Sequence, residues 1–239
     1  MKAIIVDDER LARKELTKLL EEFPEVEIMG EAANADEAYE LITQLNPELL
    51  FLDIQMPGKT GFELLEMLDS VPKVIFTTAY DEYALKAFEV NALDYVLKPV
   101  QMERLQESLQ KVTLAETQAE PDEVGERKLN LDDQVFVKDG DKCWFVRLAD
   151  IRYFESDGNY IKVFFENFKP MIHKSLNALD EKLNDRDFFR ASRKHIINLS
   201  WVETIEPWFN GGLMVKLKGG DKVEVSRRQA AKFKDKMSL

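Results

Sequence analysis

The sequence predicts two domains of different class: an α/β domain built on a doubly wound parallel sheet, then a mainly β domain. Three observations predict this. Through residue 112, short apolar runs alternate with amphipathic stretches, whereas from residue 129 short β-branched and aromatic runs are separated by turn residues. The charge also reverses: residues 1–126 hold 11 Lys and Arg against 28 Asp and Glu (net −17), and residues 127–239 hold 22 against 17 (net +5). Such asymmetry points to different partners for the two halves, with only the basic half suited to nucleic acid.

In the first half the strand-like runs are Ala3–Val6, Val26–Met29, Leu49–Leu52, Val74–Phe76 and Tyr95–Leu97. Helical periodicity marks Leu11–Glu22, Ala35–Leu45, Gly61–Leu68, Tyr83–Val90 and Met102–Val112, and Leu11, Leu16, Leu19 and Leu20 are expected to form one core stripe. Five strand–helix units in sequence require right-handed crossovers and therefore a parallel sheet. Thr113–Arg127 is acidic and polar, with Pro121 and Gly125. It predicts a linker over 113–128, dividing a domain at 1–112 from one at 129–239.

In the second half the predicted strands are Val135–Val137, Cys143–Arg147, Ile151–Glu155, Tyr160–Phe165, Lys169–His173, Ile196–Leu199, Val202–Glu206, Leu213–Leu217 and Lys222–Val225. Asp139-Gly140, Asp157-Gly158, Asn210-Gly211 and Gly219-Gly220 supply the turns. Helical spacing is confined to Leu176–Leu183 and Arg227–Lys236.

Several function classes are disfavoured. The early apolar run Ala3–Val6 is too short for a signal peptide or a membrane span, so a cytoplasmic protein without a membrane partner is expected. The single cysteine, Cys143, cannot form an internal disulfide and reads as a small core residue. With His173 and His195 the only histidines, a His- or Cys-rich zinc site is not expected.

A doubly wound sheet binds ligands beyond the carboxyl ends of its strands. The predicted strands place Asp7-Asp8, Asp53, Thr77-Thr78 and Lys98-Pro99 there. Three converging carboxylates repel one another unless a cation joins them, and Mg2+ is suited to oxygen donors and phosphate. In that setting Asp53 is expected to attack a phosphoryl group as a carboxylate nucleophile, with Lys98 and a threonine hydroxyl on the phosphoryl oxygens.

The motifs Val6-Asp7-Asp8-Glu9, Phe51-Leu52-Asp53-Ile54-Gln55-Met56-Pro57, Thr77-Thr78-Ala79 and Asp94-Tyr95-Val96-Leu97-Lys98-Pro99 resemble the signature set of response-regulator receiver domains over residues 2–112. The resemblance implies a flavodoxin-like, five-stranded receiver with Asp53 as phosphoacceptor and a sensor histidine kinase as donor. It also implies Mg2+ bound by Asp7, Asp8, Asp53 and the Gln55 backbone carbonyl, Thr78 and Tyr95 as switch residues, Lys98 on the phosphate, and a cis Lys98-Pro99 bond. A dehalogenase-like phosphohydrolase shares much of this chemistry but places a second acid two residues after its nucleophile. Here that residue is Gln55, which cannot transfer a proton at neutral pH, so a switch rather than a turnover enzyme is expected. The face made by Tyr83–Val90 and the fifth strand is the expected surface of a phosphorylation-dependent homodimer, and Ala84, Leu85, Ala87 and Phe88 there read as core or interface, most of them as core.

Basic residues of the second half gather at Asn159–Lys162, Arg190–His195 and Arg227–Lys236, a pattern suited to DNA phosphates and base edges. The segments Tyr153–Tyr160, Phe188–Asn198, Ile205–Phe209 and Val225–Arg228 are similar to the LytTR family of DNA-binding domains, over residues 129–237. That resemblance implies loops entering successive major grooves of double-stranded DNA. The readers it implies are Asn159, Tyr160 and Lys162 on the first loop, Arg193 and Lys194 on the second, and Arg228 on the third. Ser192-Arg193-Lys194 stands where many members have His-Arg-Ser or His-Asn-Ser, so a different base preference is expected there. Asn198, Phe189 and Ile197 are expected to be packing or turn residues, and Trp201 and Trp208 core residues. The competing class is a module in which the β domain docks a protein or RNA.

Overall fold

A computed structural model describes residues 1–79, 94–116, 128–140 and 142–237. They form two compact units: Met1–Pro121 with Gln134–Phe145, and Asp122–Asp133 with Val146–Leu239.

The first unit contains β1 (Lys2–Val6), β2 (Glu27–Ala32), β3 (Leu49–Asp53), β4 (Lys73–Thr78) and β5 (Asp94–Leu97). They pair in the order β2-β1-β3-β4-β5, every pair parallel, as the alternating pattern requires. The helices are α1 (Arg10–Leu20), α2 (Ala35–Leu45), α3 (Gly61–Met67) and α4 (Met102–Glu116). Local chemistry sets two of their starts. The Asn34 side chain accepts from the Glu37 N–H to cap α2, and Thr60 and Glu63 form a reciprocal capping box on α3.

Alternate residues of the central strands serve opposite faces. Ile4, Val6, Leu50 and Leu52 pack with α2 and α3 residues such as Ile42 and Leu64. Ala3, Ile5, Leu49 and Phe51 pack with Leu16 and Leu20 of α1 and Leu105 and Leu109 of α4. β3 is buried along its whole length, which is why Leu49–Leu52 reads as unbroken apolar sequence rather than as alternation.

Leu11 departs from the expected stripe and is 75% exposed. At 3.6 residues per turn it lies about 140° from Leu16 and about 180° from Leu20, so it never shared their face. The predicted helix Tyr83–Val90, with Ala84, Leu85, Ala87 and Phe88, lies outside the described residues, as does most of the predicted linker.

The first unit also holds a hairpin from beyond that linker, formed by β6 (Gln134–Asp139) and β7 (Lys142–Arg147). Phe136 stacks on Phe62 at 6.1 Å and Phe145 lies 6.5 Å from Phe76. The Lys138 ammonium is 2.7 Å from Glu66, and the Val71 N–H donates to the Gln134 carbonyl at 2.9 Å. Cys143 is buried in this aromatic cluster, the core role its sequence context suggested.

The second unit has a five-stranded sheet ordered β10-β9-β8-β12-β11 and a three-stranded sheet ordered β13-β14-β15. The strands are β8 (Ile151–Asp157), β9 (Tyr160–Phe165), β10 (Met171–Ile172), β11 (Phe188–Arg190), β12 (His195–Asn198), β13 (Val202–Pro207), β14 (Leu213–Leu217) and β15 (Lys222–Val225). α5 (Leu176–Lys182) and α6 (Arg227–Lys236) complete it. β11 is absent from the predicted strands: with 3 residues it shows no periodicity of its own and depends on pairing with β12.

Ile197 and Asn198 are buried, and Phe189 packs 5.0 Å from Phe233. The Asn198 side chain donates to the carbonyls of Leu148 and Ile151 while accepting from Ser200, so its amide is fully used in holding the fold. Trp201 packs against the core and its indole donates to the Ala149 carbonyl at 2.7 Å. Trp208 is not a core residue. It is 40% exposed, edge to face with Phe209 at 74% exposed, because both lie on the tight turn after β13 rather than on a packed strand face.

Asp94, buried at the start of β5, ties that strand to α4. It pairs with the Arg104 guanidinium and accepts from Ser108 Oγ and Lys111 Nζ, each at 2.9 Å. Burial alone would raise the carboxyl's pKa, but these donors outweigh it and hold the group at about 2, below its ordinary 3.8. Because the folded value is depressed, the stabilisation is present in full above pH 3.8 and disappears as the pH falls through about 2. Asp94→Asn should therefore lower the unfolding free energy of this unit by about 2 kcal/mol near neutrality. In urea titrations the gap from wild type should close as the pH drops through that window.

Candidate functional site

The parallel register brings the carboxyl ends of four strands to one edge. Val6 is level with Leu52, Asp53 with Thr77, and Thr78 with Leu97. The residues at or just beyond these ends are Asp7, Asp8, Asp53, Thr78 and Lys98. One carboxylate oxygen from each of the three aspartates lies within 4.8 Å of the others. Asp7 and Asp53 are buried, and Asp8 is the more open of the three.

The Lys98 ammonium bridges the buried pair, 2.7 Å from Asp7 and 2.6 Å from Asp53. Its backbone N–H donates to the Thr78 carbonyl at 2.8 Å, and the Lys98-Pro99 bond is cis. Desolvation would lower the Lys98 pKa, but the two carboxylates outweigh it and keep the group above its ordinary value, so it is cationic. For Asp53 burial wins: desolvation raises its pKa despite Lys98 and a backbone N–H from Gln55 at 3.1 Å. The Gln55 amide thus orients the carboxylate from the residue whose carbonyl was expected to face a metal.

Thr78 is fully buried at the end of β4, and Tyr95 is half-buried with the Arg104 guanidinium 5.7 Å from its ring. Two supporting residues were missed in the sequence. Arg13 donates to the Asp7 carbonyl at 2.6 Å, fixing the turn that presents the first acid. Gly61 lies so close to β3 that a Cβ there would sit 2.4 Å from the Asp53 carbonyl oxygen. Its only sequence signal is its place directly after the Thr60 cap.

Of the residues singled out in the second unit, Asn159 lies on the β8–β9 turn and Arg193 and Lys194 on the 191–194 loop, whereas Tyr160 and Lys162, expected on a loop, belong to β9 and Arg228 to the first turn of α6. The Ser156 N–H donates to the Lys194 carbonyl at 2.8 Å, joining the end of β8 to the 191–194 loop. The Ser226 N–H donates to the Ala191 carbonyl at 2.9 Å, joining the start of α6 to the same loop. Asn159, Tyr160, Arg193, Lys194 and Arg228 are exposed around this junction. Lys162 is partly covered, with its ammonium 2.6 Å from Asp157. A cleft of about 640 Å³ runs along the first two loops, bordered by Asn159, His173, Lys174, Arg190 and Arg193. His195, behind the loop, is held below its ordinary pKa by burial.

The sequence profile of the response regulator receiver domain matches residues 3–110, and that of the LytTr DNA-binding domain matches residues 141–238. The chain is 36% identical to a sensory transduction protein LytT of Enterococcus faecalis over 242 residues, covering 100% of both chains. It is 35% identical to the LytT of Bacillus subtilis, covering 98% of each. It is 34% identical to the transcriptional regulatory protein LytR of Staphylococcus aureus, with 100% of both chains covered. The chain belongs to the LytT/LytR family of response regulators. As a LytT/LytR response regulator it joins a receiver domain to a LytTR DNA-binding domain, the combination its motifs resembled. The acid cluster falls within the receiver match and the 191–194 junction within the DNA-binding match.

Removing the cation from a buried ion pair leaves an uncompensated charge, a cost of about 3–5 kcal/mol. Lys98→Ala should accordingly destabilise the receiver by roughly 3 kcal/mol in urea unfolding with EDTA present.

Proposed function

We propose that Asp53 is the phosphoacceptor of this regulator and that its phosphorylation by a sensor histidine kinase controls DNA binding. The observation that carries this reading is the Lys98 ammonium held between Asp7 and Asp53 at the ends of neighbouring strands. A carboxylate oxygen of Asp53 attacks the donor's phosphorus; the O–P bond forms as the P–N bond of a phosphohistidine breaks, and the leaving imidazole takes a proton. Asp7, Asp8 and Asp53, with the Gln55 carbonyl, are the donors that would hold Mg2+. The three carboxylates within 4.8 Å of one another fit a hard divalent ion. When bound there, the ion supplies positive charge to the phosphoryl oxygens.

Lys98 then exchanges a carboxylate oxygen for a phosphoryl oxygen without leaving its place. Thr78 donates its hydroxyl to another, and Tyr95 follows it inward. Gln55 cannot take a proton from an attacking water, so the phosphoryl group persists long enough to signal. The phosphorylated chain forms a homodimer and binds double-stranded DNA through Asn159, Tyr160 and Lys162, through Arg193 and Lys194, and through Arg228. Lys162 exchanges its Asp157 partner for a phosphate when it does so. In this reading the receiver spans 1–112, the linker 113–128 and the DNA-binding domain 129–239, whose first hairpin rests on the receiver. Among the described residues no helix is long and apolar enough to cross a membrane. In this reading the regulator works in the cytoplasm, where its DNA and its kinase's phosphoryl group are both within reach.

Asp53→Asn should abolish labelling by radioactive acetyl phosphate in Mg2+; undiminished labelling would move the acceptor elsewhere. Arg228→Ala should weaken binding to a duplex selected by the wild-type chain by roughly 1–3 kcal/mol if Arg228 contacts a base. An equal loss on every duplex would make Arg228 a phosphate contact instead. Binding without salt dependence would favour a protein partner over nucleic acid.

A further inference from the structure

We propose that Arg190 is a positioning residue for DNA reading: its guanidinium clamps the 191–194 loop onto the start of α5 and thereby aims Arg193. This rests on the reading of Arg193 as a base reader. In sequence Arg190 is one more cation in a basic run, equivalent to Arg193 and Lys194. The structure separates them. Arg193 and Lys194 are exposed, whereas the Arg190 side chain retains 17% exposure and is turned inward.

All three guanidinium nitrogens of Arg190 are engaged. Nε donates to the Ser192 carbonyl at 2.7 Å and Nη2 to the Arg193 carbonyl at 3.0 Å, so two bonds grip the loop. Nη1 donates to the Leu176 carbonyl at 2.8 Å and Nη2 to the Asn177 side-chain oxygen at 3.1 Å, so two more grip the first turn of α5. Asp180, 3.8 Å away, balances the charge. A planar fork with fixed donor directions can satisfy acceptors on two sides at once, which a lysine ammonium cannot.

The loop needs such an anchor. It closes on itself through the Ala191 and Ser192 N–H groups, which donate to the His195 carbonyl, and through the Lys194 N–H on Ser192 Oγ. Those bonds fix the shape of the loop but not its orientation relative to α5. The same loop also receives backbone bonds from Ser156 at the end of β8 and from Ser226 at the start of α6, and Arg190 adds a side-chain tie to α5. The fork is spent on carbonyls that carry no sequence information, so Arg190 contributes to specificity through Arg193 rather than by touching DNA.

The test compares full-length wild type with Arg190→Lys, Asn177→Ala and Arg193→Ala. Affinities are measured by fluorescence anisotropy over a salt series, below any thermal transition. The probes are a duplex enriched by the wild-type chain from a random library and a shuffled duplex of equal composition. Arg193→Ala should lower the ratio of selected to shuffled affinity roughly ten-fold. Arg190→Lys keeps the charge but loses the fork. It should lower the ratio to a similar extent while leaving the shuffled affinity and the salt slope at wild type. Asn177→Ala removes one acceptor and should give a smaller loss of the same kind.

An unchanged ratio in Arg190→Lys would overturn the inference while leaving Arg193 as a reader. So would equal weakening on both duplexes with a shallower salt slope, which would make Arg190 a phosphate contact. An unchanged ratio in Arg193→Ala would remove the underlying reading and the inference with it. Should Arg190→Lys fail to fold, Asn177→Ala decides, and an unchanged ratio there overturns the proposal.

Discussion

Two carboxylates buried side by side at the ends of neighbouring strands repel each other, and in this receiver a single ammonium resolves the conflict. Lys98 lies within 2.7 Å of both Asp7 and Asp53. This arrangement requires the strand order β2-β1-β3-β4-β5, since only then do the ends of β1, β3 and β5 deliver their charges to one edge. One ammonium against the Asp7 and Asp53 carboxylates, with Asp8 beside them, leaves the cluster net negative, and that residual charge is what suits it to a further cation.

Support for the bridge comes from residues that do not touch it. Lys98 follows β5 directly, so its position is only as firm as that edge strand. β5 is 4 residues long and pairs with β4 alone. Its buried Asp94 is anchored by Arg104, Ser108 and Lys111 of α4, and Arg104 also donates to the Tyr95 carbonyl. Arg104 thus fastens the strand while lying against the ring of the proposed switch residue. On the opposite side of the site, Gly61 lets α3 approach the Asp53 backbone more closely than any side chain would allow. The acids are held by geometry that mostly involves carbonyls and a missing Cβ.

Much of this was legible in the sequence, for identifiable reasons. Strand ends are marked where an apolar run meets a charge, so Asp7, Asp53 and Lys98 could be placed before any coordinates, and the receiver resemblance assigned their roles. Periodicity misled at Leu11, where the spacing to Leu16 and Leu20 looks helical but runs round to the opposite face. The docking of Phe136 and Phe145 on Phe62 and Phe76 was not legible, because the hairpin reads only as two short strands of a later domain. Trp208 misled in the reverse sense: large aromatic residues are usually buried, but a tight turn offers nothing to bury against. Arg190 shows the limit most clearly. A basic run looks the same whether a guanidinium points to solvent or into the fold, and only the carbonyls of Leu176, Ser192 and Arg193 around it decide the matter.

The DNA-binding half divides labour differently from the receiver. Two backbone hydrogen bonds, from Ser156 at the end of β8 to Lys194 and from Ser226 at the start of α6 to Ala191, both end on the 191–194 connection. Bonds between backbone groups are indifferent to the side chains that project from them. The exposed positions 193 and 194 can therefore change identity while the junction keeps its shape, provided the residue at 190 still holds the loop. Ser192 is the exception within the Ser192-Arg193-Lys194 run, because its hydroxyl accepts from the Lys194 N–H and faces His195 Nδ1 at 3.3 Å. It belongs to the frame, and the two exposed cations beyond it are the proposed readers.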